Sequence, residues 1–184
     1  PAKLFAEEAN DGWTLGTPDF VVKLSEPYVV KDEINDLNII FYEQLTEDLM
    51  PEDTWVKGWE FRVGDNGWTH HMCSSVLSPS AAAELDSTVV EDEGEGADTP
   101  NTSLLSCVAE GGEAQMLPEG FGVLLEKGAA VSFNMHFNKE SGAGSNFTSQ
   151  PEIGFFVEKK PVKYKVLNDS LSNRGFEIPR QHAN

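Results

Sequence analysis

Apolar residues in this chain come in short runs bounded by Gly, Pro, Asn, Asp and Ser, a rhythm of strands rather than helices. Residues 19–23 (DFVVK) and 37–43 (LNIIFYE) open the series. In residues 54–63 (TWVKGWEFRV) alternation sets Trp55, Lys57, Trp59 and Phe61 on one face and Val56, Gly58, Glu60 and Arg62 on the other. The first face is mostly apolar, which predicts a half-buried strand. The turn Asp65-Asn66-Gly67 then leads into residues 70–77 (HHMCSSVL). Further strands are expected at 103–109, 120–125, 130–138, 153–157 and 162–166, with turn-rich segments between them. Only residues 80–85 (SAAAEL) predict a helical turn, at the start of a polar insertion running to about residue 102. About nine short strands at this spacing predict an all-β fold, an antiparallel jelly-roll β-sandwich. Its two sheets should face each other across Trp55, Trp59, Phe133 and Phe155.

A chain of 184 residues suits one domain, and 39% hydrophobic residues with 11 Phe and 4 Trp supply a core for it. The net charge of −18 repels phosphate backbones and anionic lipid, so neither nucleic acid nor a membrane surface is an expected partner. No apolar stretch approaches the roughly 20 residues that a membrane-spanning helix needs. The same charge attracts cations. The acidic run 91–98 (EDEGEGAD) reads as an exposed loop, and its spacing does not match an EF-hand calcium loop.

The candidate chemistry lies in the histidines: His70, His71, His136 and His182. The first three sit inside apolar, strand-like runs, where an imidazole is costly unless its nitrogens find partners. Imidazole suits copper and zinc. Neighbours on a regular strand point to opposite faces, so His70 and His71 can share one ion only at a bulge or a strand end. The alternative is that they serve separate faces and His136 is an ordinary core residue. Met72 and Met135 adjoin these histidines, either as soft donors for Cu(I) or as core filling. Cys73 and Cys107 are compatible with two buried thiols or one disulfide. No nucleophile elbow, phosphate loop or dinucleotide fingerprint occurs.

Three segments in order resemble one family. GWTLGTPDFVVKL (12–24), THHM (69–72) and LPEGFGVLLEKGAAVSFNMHF (117–137) are similar to stretches of the copper type II, ascorbate-dependent monooxygenases, the family of peptidylglycine α-hydroxylating monooxygenase and dopamine β-monooxygenase. The lone His136 follows the pair by 65 residues, a compatible spacing. The resemblance implies a jelly-roll domain over residues 1–179, the first of two copper domains, with 180–184 as a tail or the start of a linker. It implies that His70, His71 and His136 hold one copper ion that takes electrons from ascorbate, with His182 a bystander. In the family, O₂ and a small-molecule or peptide substrate meet a second copper, held by a His-x-His pair and a Met in the second domain. This chain has no His-x-His, so C–H hydroxylation requires a second copper domain of the same protein or of a partner chain. The family is secreted, which implies a secreted or periplasmic location and a Cys73–Cys107 disulfide. The competing expectation is a non-catalytic jelly-roll binding domain with a structural metal site or none.

Overall fold

The computed structural model describes residues 12–64, 68–85, 89–91, 102–109, 114–139, 146–168 and 175. Its strands are β1 (Phe20–Lys23), β2 (Tyr28–Val30), β3 (Asp36–Gln44), β4 (Thr54–Arg62), β5 (Thr69–Leu77), β6 (Val89–Glu91), β7 (Thr102–Ala109), β8 (Gln115–Met116), β9 (Phe121–Leu125), β10 (Ala130–Asn138), β11 (Phe147–Ser149), β12 (Glu152–Val157) and β13 (Tyr164–Lys165). Among the described residues the one helix is α1 (Pro79–Ala83), capped by Ser78, whose hydroxyl accepts from the Ala81 amide. The nine expected strands all form. The four others, β2, β6, β8 and β11, are two or three residues long, too short to leave a periodicity. Within the expected polar insertion, Val89–Glu91 forms β6 and pairs with β3. The remainder of the acidic run, and the turn at 65–67, lie outside the described residues.

The strands make an all-β sandwich. One sheet runs β1-β12-β4-β9-β13, with β8 also on β4; the other runs β6-β3-β10-β5-β7. β2 and β11 form a separate ribbon. Every pairing is antiparallel except β9 with β13, which is parallel. The core lies between the sheets. Alternate residues of β10 (Val131, Phe133, Met135 and Phe137) meet Met72 and Val76 of β5, Ile39 and Phe41 of β3, and Val56, Trp59, Ile153 and Phe155 of the other sheet. Each such side chain removed from water contributes about 1.5–3 kcal/mol.

Trp59, Phe133 and Phe155 are fully buried, as the pattern predicts, but Trp55 is only half-buried. The cause is a bulge in β4. Phe156 pairs with Gly58 and Val157 with Val56, so Lys57 is an extra residue and the faces exchange there. Val56, not Trp55, therefore joins Trp59 and Phe61 in the core.

The outer face of the five-stranded sheet determines where a site can form. At one end α1 lays Ala81 and Ala82 over Ile40, Tyr42, Leu77 and Ala130. The other end, where β5 begins and β10 finishes, is free of that cover and carries the histidines.

Candidate metal centre

β5 and β10 run in register through Asn134↔Cys73, Met135↔Met72 and His136↔His71; the next pair is Phe137↔Thr69. His70 is thus one residue too many on β5. Had the ladder continued evenly, His70 would have opposed Phe137, which points into the core. The bulge turns its ring instead to the side occupied by His71 and His136. The ladder resumes beyond it, with the Asn138 amide donating to the Trp68 carbonyl at 3.0 Å. The sequence condition for a shared ion, a bulge at the paired histidines, is therefore present.

The three Nδ1 atoms converge. His70 Nδ1 lies 3.2 Å from His71 Nδ1 and 3.1 Å from His136 Nδ1, and the third side of the triangle is 3.4 Å. A triangle with these sides has a centre about 1.9 Å from each nitrogen, close to the usual metal–imidazole distance of roughly 2.0–2.1 Å, so all three histidines would hold one ion. Three ring nitrogens brought this close together form a donor set that one shared cation would satisfy. The donor set therefore fits a metal ion on its own geometry. Among the described residues, these histidines form the one His/Cys/Asp/Glu group that could hold a metal ion.

The far side of His136 is also fixed. Its Nε2–H donates to Asp36 Oδ1 at 2.6 Å, across 100 residues of chain. Asp36 opens β3, and the β10–β3 register places it beside Asn138, with Asn38 opposite His136. A carboxylate on the outer nitrogen selects the tautomer that leaves Nδ1 free to ligate and fixes the ring's rotation. Local patterning could not find Asp36, because only strand pairing unites it with His136. Burial holds the His71 pKa below the ordinary imidazole value, and the adjacent His136 and His70 lower it further. At neutral pH His71 is therefore deprotonated and ready to bind. His70 is exposed and the other two rings are half-buried, so the centre opens to solvent.

Met72 and Met135 are fully buried on the opposite face and fill the core, so no thioether reaches the site. Cys73 and Cys107 form a disulfide, with Cα atoms 4.0 Å apart across the β5–β7 pair. Such bonds persist in oxidising compartments. No helix among the described residues is long and apolar enough to cross a membrane. His182 lies outside the described residues. No protein-family model matches the chain, and no curated protein matches it. The site itself consists of three imidazoles on one surface of an all-β sandwich that could hold one metal ion.

Proposed function

We propose that this chain is the electron-transfer copper domain, the first half, of an ascorbate-dependent copper monooxygenase that hydroxylates a C–H bond with O₂. The observation that carries the reading is the convergence of three Nδ1 atoms from His70, His71 and His136 within 3.4 Å of one another, produced by a bulge at His70. These are the residues that the family resemblance assigns to the first copper. Bound copper supplies a one-electron store. The histidines bind through Nδ1, and Asp36 holds the His136 ring in line. The exposed edge at His70 gives a small reductant such as ascorbate access without opening the core.

A structural zinc site is normally closed by four protein ligands. Three imidazoles at an open surface suit an ion that keeps an open position, which copper tolerates, rather than a closed structural zinc. On this reading the sandwich is the jelly roll of the family, the location is secreted or periplasmic in keeping with the disulfide, and substrate and O₂ bind in a second copper domain. The test is copper loading of the purified chain. One equivalent of Cu(II) should bind with nitrogen hyperfine structure in its paramagnetic resonance spectrum, and ascorbate should abolish that signal. Binding of zinc in preference to copper, or a Cu(II) signal that ascorbate leaves intact, would sink the proposal.

A further inference from the structure

We propose that the Cys73–Cys107 disulfide is a positioning element of the metal centre, holding the bulged strand β5 so that His70 and His71 stay aimed at one point. The inference rests on the metal reading above and concerns what keeps that site assembled. It begins with a weakness in β5. On its β10 side the ladder shifts at His70. On its β7 side it shifts again, because Ser74 pairs with Ser106 and Ser75 with Leu104, leaving Leu105 as an extra residue on β7. The strand that carries two of the three ligands is thus irregular on both flanks. Among the described strands β7 is also the last of its sheet.

The disulfide lies between those two irregularities. Cys73 and Cys107 are directly opposed. Cys73 follows His71 by two residues, so both side chains leave the strand on the outer face, roughly 6–7 Å apart along it. Backbone pairing alone lets a bulged segment change register or flatten, and flattening would return His70 to the other face. A covalent link one pleat from His71 blocks that movement. The same bond occupies both sulfurs, which as free thiolates beside the histidines would compete for a soft ion.

The test uses the Cys73→Ser/Cys107→Ser double variant, with copper as the probe. Affinity is read by competition with a chromophoric chelator, and Cu(II) geometry by paramagnetic resonance. The expected result is a loss of copper affinity on the order of tenfold, the scale of losing a group that orients a ligand, with a broadened, heterogeneous Cu(II) spectrum. Val123→Ala, a core truncation in the other sheet, controls for lost stability and should leave affinity and spectrum unchanged. If the serine variant does not fold, the Cys73→Val/Cys107→Val pair keeps the cross-strand contact apolar and carries the same expectation. A folded disulfide-free variant with unchanged affinity and spectrum overturns the proposal, as does an equal loss in Val123→Ala. Failure of the wild-type protein to bind copper is a separate result, and it overturns the metal reading instead.

Discussion

Replacing Asp36 by Ala removes the carboxylate that receives the His136 Nε2–H at 2.6 Å. The ring then keeps its place in β10 but loses the partner that fixes its rotation and tautomer. Groups of this kind are worth about 10–100-fold in metal affinity. Asp36 is 64% exposed at its side chain, while the His136 side chain is only 16% exposed. Water can therefore replace part of what the carboxylate supplies, and the loss belongs at the low end, about tenfold or 1.4 kcal/mol. Asp36→Asn should lose less, because the amide oxygen still accepts a hydrogen bond from Nε2 while the charge is gone. The assay is competition for Cu(II) and Cu(I) against chelators of known affinity, with far-UV circular dichroism to confirm the fold. Equal affinities for wild type, Asp36→Asn and Asp36→Ala, within twofold, would show that the carboxylate has no part in the site.

Other perturbations separate site from scaffold. His136→Ala should reduce copper affinity far more than Asp36→Ala, since two imidazoles remain where three converged, whereas His182→Ala should leave it unchanged; the same titration decides both. The His71 pKa lies below its ordinary 6.5 in the folded chain, so the unfolded chain binds more protons in the window below 6.5. The metal-free fold should accordingly hold the His71 contribution in full above that value and lose it as pH falls through the folded pKa, seen as a declining denaturation midpoint on acidification. Gly64→Ala should destabilise the fold by roughly 1–3 kcal/mol in chemical denaturation without touching copper affinity. Gly64 has a φ of +73°, and a Cβ there would collide with the Gln150 backbone.

The fold was largely legible because period-two alternation survives in the longer strands, and residues 130–138 form β10 with Val131, Phe133, Met135 and Phe137 inward as that alternation requires. Alternation failed where the backbone departs from it. Alternation places Trp55 on the core face, because the pattern cannot reveal that Lys57 is bulged out. The same kind of irregularity was foreseeable at His70 only on the condition that the histidines share an ion. Asp36 was invisible for a different reason: its role depends on the β3–β10 register, a contact between positions 100 residues apart. The disulfide required knowing that β5 and β7 are neighbours, and composition left a bonded pair and two free thiols equally open.

X-ray absorption at the copper edge of the loaded chain reads the ligands of the proposed copper site. Three imidazole nitrogens at about 2.0 Å, no sulfur bound to the copper, and one imidazole fewer in His136→Ala are expected. A sulfur scatterer, a single imidazole, or identical spectra from wild type and His136→Ala would contradict that proposal.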